Sequence, residues 1–305
     1  MLVLGCGGNG KKARVQSAGP RSFPKVAIPE AYTDDSDRLD YSGTHYWDAY
    51  LEGEGATDSL CILGVRRDEL EQALANYIAL LGMEPLPKAC KDMESFFDGI
   101  SAVQQRDTAS QFYTAITQTV ASYLYDPNSP LRDEDLYLPF VQGLAESPFT
   151  REDMRPAYRF EAMMCAICPK GSIAPDFTAR RADGSSFTLH SVKAPYTLLF
   201  FSNPGCQACR EIVERISASY GDLVAKGTMA VVNIYIDDEL DAWREYVSNY
   251  PREWYSGYDY KHVIRDEILY NVRAIPSLYL LDSSKHILGK DIPFERLQSL
   301  MPDVQ

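Results

Sequence analysis

Two pairs of cysteines stand out because two residues separate the members of each pair. Cys206 and Cys209 lie in SNPGCQACR, directly after the apolar run YTLLFF, and Cys165 and Cys168 lie in MMCAICPKG. Thiols at this spacing can close a reversible disulfide, supply half of a zinc site, or serve only as small buried side chains. The elements on either side of each pair decide which chemistry is expected.

The pair formed by Cys206 and Cys209 falls where a strand gives way to a helix. Residues 196–201 form a continuous apolar run typical of a buried strand, and apolar residues recur at helical spacing after Cys206. The free N–H groups and the dipole of a helix N-terminus stabilise a thiolate, so we expect Cys206 to be a nucleophile. Cys209, one turn into the helix, would then resolve the mixed disulfide. This placement favours thiol–disulfide chemistry.

A zinc site is the alternative chemistry for these cysteines. Structural zinc needs four ligands, and Cys165 and Cys168 could complete a four-cysteine site with Cys206 and Cys209. The chain has four histidines, none of them at ligand spacing from another histidine or from either pair: His45, His190, His262 and His286. Because the strand-to-helix placement fits redox chemistry better than zinc binding, we predict no metal and no cofactor.

The overall composition narrows the possible partners. The 305-residue chain has a net charge of −13 and no cluster of Lys and Arg, so the phosphate contacts of a nucleic-acid binder are not expected. No apolar run is long enough to predict a transmembrane helix. The start MLVLGC resembles the end of a bacterial lipoprotein signal, although only five residues precede Cys6. Cys6 is therefore either a lipid-anchor site, which would be the only membrane contact, or a free thiol in an ordinary tail.

The chain divides into three predicted parts. Residues 1–22 are rich in Gly, Lys, Ser and Pro and are predicted to be a leader or tether. Residues 23–168 show helical periodicity, most clearly in Arg66–Gly82, and residues 169–305 alternate buried strands with helices. We therefore predict a two-domain α+β protein, in which an all-α helical module precedes an α/β domain with a central mixed sheet flanked by helices.

Several elements are specific enough to compare with the structure. A helix is predicted over His45–Leu51, and another is expected to have the acidic residues 133–135 in its first turn, where they suit the helix dipole. A closing helix is predicted over Phe294–Met301. The aromatic-rich segment WYSGYDYKH, residues 254–262, is a candidate lining for a substrate groove.

The motifs around Cys206 resemble those of a known family. Residues 171–212 follow the order G-x-x-A-P-D-F, D-G, strand and C-x-x-C that is usual in thioredoxin-like thiol:disulfide oxidoreductases of the TlpA/ResA type. The resemblance continues through AIPSLYLLDSSKHILGKD and covers residues 169–305. The N-terminal part, through THYWD and YLYDPNSPLRDEDLY, resembles the helical domain of unknown function that precedes such domains in Bacteroidetes envelope proteins.

This resemblance implies a fold, a set of roles and a location. It implies that Cys206 attacks, that Cys209 resolves, and that Ile275 and Pro276 join through a cis peptide bond beside the cysteines and shape the client-binding surface. The implied partners are the thiols or disulfides of client proteins and a separate redox partner. Because such proteins are typically exported and often lipid-anchored, the implied location is the periplasm or cell envelope, which also favours lipidation of Cys6.

The sequence departs from the family pattern around the cysteines. Gly205 replaces the usual Trp, and Gln-Ala separates the two cysteines, so the direction of electron flow cannot be assigned from the usual dipeptides. The buried acid of thioredoxin is Phe200 here, and the acid of ResA-type proteins is Ile212. Glu211 and Glu214 are substitutes to consider, although helical Glu residues usually lie in solvent.

These observations predict a thiol–disulfide oxidoreductase and leave two other functions open. A non-catalytic envelope scaffold with a degenerate thioredoxin domain would explain the missing acids. A thiol peroxidase is disfavoured, because Leu199 and Asn203 stand where the peroxiredoxin pattern has Pro and Thr or Ser. Cys165 and Cys168 are either a second redox pair that passes electrons to Cys206 or buried structural cysteines.

Overall fold

The computed structural model describes residues 19–301. Helices dominate the first part of this range. Their bounds are α1 (Asp35–His45), α2 (Asp48–Leu51), α3 (Arg67–Leu81), α4 (Leu86–Arg106), α5 (Phe112–Leu124), α6 (Glu134–Glu146) and α7 (Arg155–Cys165). A two-stranded antiparallel sheet, β1 (Cys61–Ile62) and β2 (Val65–Arg66), lies between α2 and α3. The sequence prediction lacked this hairpin, because two-residue strands are too short to show an alternating pattern.

The helical periodicity predicted the buried face of α3 correctly. Its predicted apolar face is buried in full: Leu70, Leu74, Tyr77, Ile78 and Leu81. The helix ends at Gly82, as predicted. By contrast, the helix predicted over His45–Leu51 is interrupted, because the chain leaves α1 at His45 and re-enters a helix only at Asp48. Trp47 fills this break and stacks on Phe96 at 4.2 Å between ring centroids, so a core contact replaces a continuous helix.

The acidic residues that open α6 have roles that the helix dipole does not explain. Asp133 is the N-cap, and its carboxylate accepts hydrogen bonds from the backbone N–H groups of Asp135 and Leu136. Glu134 and Asp135 are buried, with 2% and 7% of their surface exposed. Their charged partners, Arg273 and Lys290, belong to the second domain.

A seven-stranded mixed sheet forms the centre of the second domain. Its strands are β3 (Thr178–Arg180), β4 (Ser186–Thr188), β5 (Tyr196–Phe201), β6 (Met229–Tyr235), β7 (Tyr255–Tyr258), β8 (Ser277–Leu281) and β9 (Ile287–Gly289). Their spatial order is β4-β3-β7-β6-β5-β8-β9, in which β5, β6 and β7 are parallel to one another and the other pairings are antiparallel. Three helices join these strands: α8 (Gln207–Ala225), α9 (Leu240–Tyr246) and α10 (Val263–Asp266).

Alternating side chains of the sheet bury two separate apolar faces. Leu198 and Phe200 of β5 point into a core that includes residues of α8, whereas Leu199 and Phe201 point into the core on the opposite face. We call these the α8 face and the opposite face. The predicted two-domain α+β fold, with a helical module and a mixed sheet covered on both faces, is confirmed.

Two predictions for the end of the domain are wrong. Residues 255–258 form strand β7, and Trp254 is buried in the α8 face, so these residues of the aromatic segment belong to the sheet rather than to an open groove. The closing helix predicted over Phe294–Met301 is instead two short 3₁₀ helices, Phe294–Arg296 and Gln298–Leu300. Apolar residues there recur every three residues, at Phe294, Leu297 and Leu300, which matches a 3₁₀ repeat better than an α-helix.

Within residues 19–301, no helix combines the length and the apolar character needed to cross a membrane. Cys6, the predicted lipidation site, lies outside the described residues.

Candidate active site

Cys206 lies at the junction of the interior strand β5 and the long helix α8. It is the N-cap of α8, and its sulfur accepts a hydrogen bond from the backbone N–H of Cys209 at 3.1 Å. Gly205 makes the preceding turn with φ of +75°, a left-handed conformation that favours glycine. The chain therefore presents a half-buried sulfur at the positive end of a 19-residue helix.

Cys209 lies one turn further on and is buried, with 2% of its surface exposed. Burial, together with the hydrogen bond to Cys206, raises the pKa of Cys209 to about 12, although the backbone N–H of Asn203 opposes this rise. In the reduced protein, Cys209 is therefore protonated at neutral pH. Both thiols are free in this structure, and Cys206 is the more accessible of the two.

The loop before β8 meets the thiols from the other side. The peptide bond between Ile275 and Pro276 is cis. The carbonyl oxygen of Ile275 lies 4.0 Å from the sulfur of Cys206. This proximity follows from the antiparallel register of β5 and β8, in which Phe201 pairs with Ser277. The structure thus brings together all four residues that the sequence placed at the site.

The acidic side chains considered as substitutes for the missing acids do not enter the site. Glu211 and Glu214 are exposed on α8, and Glu211 accepts a hydrogen bond from the Gln207 amide at 3.0 Å. Phe200 is fully buried in the α8 face. The sequence reasoning missed the buried polar side chains that do lie on that face, Ser202, Asn233 and Tyr250.

The second cysteine pair lies at the junction of the two domains. Cys165 ends α7 within the core of the helical domain, and Cys168 packs on the opposite face of the sheet from Cys209. Burial raises the pKa of Cys165 to about 12 and that of Cys168 to about 11. Neither Cys165 nor Cys168 therefore lies in the core that holds Cys206 and Cys209, a placement that does not support direct electron transfer between the pairs.

The alternative of a four-cysteine zinc site is wrong for the same reason. Among the described residues, no three His, Cys, Asp or Glu side chains are grouped so that they could hold a metal ion.

A buried ionic cluster joins the helical domain to the loop that carries Pro276. Arg273 lies 2.6 Å from the Glu134 carboxylate and 3.1 Å from that of Asp291, and its guanidinium lies over the ring of Tyr125 at 4.1 Å. Lys290 lies 3.5 Å from both Glu134 and Asp135. Burial raises the pKa of Glu134, and the charges of Lys290 and Arg273 oppose that rise. The acidic start of α6 is therefore part of an interface beside the candidate active site.

Two family models match different parts of the chain. A domain of unknown function, DUF5106, matches residues 6–164, slightly more than half of the sequence. A thioredoxin-like model matches residues 195–287, which include both thiols and the Ile275–Pro276 loop. A comparison with curated proteins gave no match.

One solved structure resembles nearly the whole chain, and others match less than half of it. A thioredoxin-like protein from Bacteroides caccae is 31% identical, covers 93% of this chain and 99% of its own, and superposes with a TM-score of 0.74. The C-terminal domain of an uncharacterized protein from Bacteroides fragilis is 39% identical over 44% of this chain and 98% of its own, with a TM-score of 0.43. A domain of a possible thiol-disulfide isomerase from Cytophaga hutchinsonii is 27% identical over 45% of this chain and 94% of its own, with a TM-score of 0.40.

Proposed function

Because this chain belongs to the thioredoxin-like proteins that carry an N-terminal DUF5106 domain, we propose that it is a thiol–disulfide oxidoreductase acting through Cys206 and Cys209. The observation that carries the proposal is the geometry of the pair. A half-buried sulfur caps the start of α8, a second thiol lies one turn behind it, and the Ile275 carbonyl lies 4.0 Å from the first sulfur.

The proposed reaction is a two-step disulfide exchange. The Cys206 thiolate attacks one sulfur of a client disulfide, so that a Cys206–client bond forms and the other client sulfur leaves as a thiolate that takes up a proton. Cys209 then loses its proton and attacks the Cys206 sulfur, which releases the second client thiol. The client gains two electrons and two protons, and the enzyme pair becomes a disulfide. The same steps in reverse would oxidise a client dithiol.

The proposed partners follow from the surface around Cys206. Ile275 and Pro276 border the accessible sulfur, so an extended client segment would lie against them while its disulfide reaches Cys206. A second redox protein would have to restore the enzyme pair after each turnover. The envelope location and the lipid anchor at Cys6 are proposals that rest on the sequence pattern alone, and the mass of the N-terminal peptide from membrane-extracted protein would test them.

Trapping of the mixed disulfide tests the proposal directly. The variant Cys209→Ser cannot resolve, so incubation with a disulfide-containing protein such as insulin should give a covalent adduct that a reductant removes. The matched control is Cys206→Ala with Cys209→Ser, which should give none. An adduct that persists in the control, or that forms through Cys61 or Cys90, would refute the assignment of Cys206.

A non-catalytic scaffold is the second candidate, because the described structure has no acidic side chain beside Cys209. Reduction of insulin by dithiothreitol separates the two functions. A redox enzyme should accelerate the reduction and lose this effect in Cys206→Ala, whereas a scaffold should give the same slow rate with and without the substitution.

A further inference from the structure

The loop that carries Ile275 and Pro276 is held by side chains rather than by its own backbone. Residues 271–276, which we call the Pro276 loop, run between α10 and β8 without forming a helix or strand. Within residues 19–301, none of their N–H or C=O groups joins a backbone–backbone hydrogen bond. The position of such a segment depends on its side-chain contacts. Because the Ile275 carbonyl lies 4.0 Å from the Cys206 sulfur, these contacts also decide what a client meets beside Cys206.

Arg273 ties the Pro276 loop to the helical domain. Its Nε lies 2.6 Å from the Glu134 carboxylate, and a terminal nitrogen donates a hydrogen bond to the backbone carbonyl of Tyr125. The guanidinium also lies over the Tyr125 ring, 4.1 Å from its centroid. Asn271, the first residue of the loop, donates to the same Glu134 carboxylate at 2.9 Å. Because a guanidinium is planar and rigid, these partners fix both the position and the orientation of Arg273.

A second attachment holds the other end of the loop. Ser277, the first residue of β8, donates a hydrogen bond to the Asp291 carboxylate at 2.8 Å. The backbone carbonyl of Asp291 accepts a hydrogen bond from Arg132 of the helical domain at 2.7 Å, and its carboxylate lies 3.1 Å from Arg273. The Pro276 loop therefore lies between two attachments that both lead to the helical domain.

Stability alone is a weak reason for burying these charges. The side chains of Arg273 and Glu134 are only 12% and 1% exposed. Taking such a pair out of water costs about as much free energy as their attraction returns, so a buried ion pair adds little net stability over apolar packing. What the pair does fix is the place of the main chain two residues before Ile275.

We propose that the helical domain sets the position of the client-binding loop, and that Arg273 is the positioning residue through which it does so. Held by Glu134 and Tyr125, Arg273 keeps the main chain of Ile275 and Pro276 where an extended client segment lies against it.

The thiol itself is positioned independently of this loop. Cys206 is placed by the start of α8 and by the turn at Gly205. A protein client, which needs both the loop and the thiolate, should therefore depend on Arg273. A small disulfide, which needs only the thiolate, should not.

This inference rests on the proposed function, and two disulfide substrates distinguish the failure of each. The small aromatic disulfide dithiobis(nitrobenzoate) releases a coloured thiol when Cys206 attacks, and stopped-flow absorbance follows this step. Insulin presents its disulfides within polypeptide chains, and initial rates of its reduction with dithiothreitol as the reductant give kcat and KM. If the wild-type protein released no coloured thiol through Cys206, the proposed function would fail and this inference with it. If only the dependence on Arg273 were absent, this inference would fail alone.

Arg273→Met keeps a long side chain but removes the charge and every hydrogen-bond donor. A lost client contact of hydrogen-bond strength corresponds to about a tenfold change in affinity, so KM for insulin should rise by about tenfold while kcat keeps its value. The rate with dithiobis(nitrobenzoate) should equal that of wild type. The matched control is Arg296→Met, which removes the same charge and breaks a 2.9 Å ion pair with Asp133 between the same two domains. Within residues 19–301, no hydrogen bond or ion pair joins Arg296 to residues 271–277, so KM should not change.

Glu134→Gln combined with Arg273→Met provides a second variant in case Arg273→Met folds poorly. The double variant removes both charges of the pair, so the net charge of the buried cluster stays the same, and it should show the same rise in KM. Wild-type KM values in both variants would overturn the proposal. An equal rise in Arg296→Met, or equal slowing with insulin and dithiobis(nitrobenzoate), would also overturn it, because either result indicates a general loss of structure.

Discussion

Glu134→Gln is the substitution that most sharply tests how the two domains are joined. The Glu134 carboxylate is 2% exposed, lies 2.6 Å from Arg273 and 3.5 Å from Lys290, and accepts a hydrogen bond from Asn271 at 2.9 Å. Glutamine keeps the size of the side chain but removes its charge. Arg273 and Lys290 then remain buried with one counter-charge fewer.

The size of the effect follows from the burial of these charges. Removing one partner of a buried ion pair typically costs about 3–5 kcal/mol. We expect the lower end, about 3 kcal/mol, because Asp291 and Asp135 still lie within ion-pair distance of Arg273 and Lys290. The free energy of unfolding, measured by guanidinium denaturation, should fall by this amount. Because Arg273 lies on the loop that carries Pro276, the variant should also reduce disulfides more slowly.

The control for this prediction is an exposed ion pair. Glu146 and Arg159 lie 3.0 Å apart, with 72% and 56% of their side chains exposed. Glu146→Gln should therefore change the free energy of unfolding by less than about 1 kcal/mol. Equal effects of Glu134→Gln and Glu146→Gln would refute the reasoning that the buried cluster stabilises the domain interface.

Three further substitutions are expected to change stability. Burial raises the pKa of Glu84 to about 7, so the folded protein keeps a proton that the unfolded chain releases above pH 4.5. The free energy of unfolding therefore falls as the pH rises between these two values. Glu84→Gln should remove this pH dependence, and at about pH 8 the variant should denature at a higher guanidinium concentration than wild type. Gly43→Ala should lower stability by about 1–3 kcal/mol, although alanine favours helices, because its Cβ would lie 2.3 Å from Glu84 Oε1 and 2.7 Å from Asp92 Oδ2. Gly205→Ala should destabilise the reduced protein by about 1–2 kcal/mol, because φ at this position is +75°. The space around the new methyl group is open, so no steric clash adds to this cost. An unchanged denaturation midpoint in either glycine variant would contradict the argument made for that variant.

The parts of the fold that sequence predicted well are those with strong local patterns. YTLLFF forms the buried strand β5, the apolar face of α3 is buried as expected, and Cys206 lies at the predicted strand-to-helix junction. In these segments, burial and local periodicity point to the same structure. The placement of Ile275 and Pro276 beside the thiols came from the family resemblance and agrees with the structure.

The parts that sequence did not predict depend on contacts between distant residues. Strand β7 contains Gly257, where an added Cβ would lie 3.0 Å from the Cβ of Ala179, and its short aromatic sequence has no clear alternation. The Ser202–Asn233–Tyr250 cluster forms only when β5 and β6 pair and the chain after α9 folds back. Likewise, the role of Glu134 depends on Arg273, 139 positions away in the chain by residue number. None of these contacts leaves a signal in a local pattern.

The most direct test of the account is a redox titration of the Cys206–Cys209 pair. The protein would be equilibrated in thiol–disulfide buffers, free thiols alkylated, and each cysteine peptide quantified by mass spectrometry. We predict that these two cysteines oxidise together and reversibly, with a midpoint between about −270 and −120 mV, and that Cys165 and Cys168 do not exchange with them. A pair that stays reduced throughout this range, or that oxidises only in combination with another cysteine, would contradict the assignment of this site.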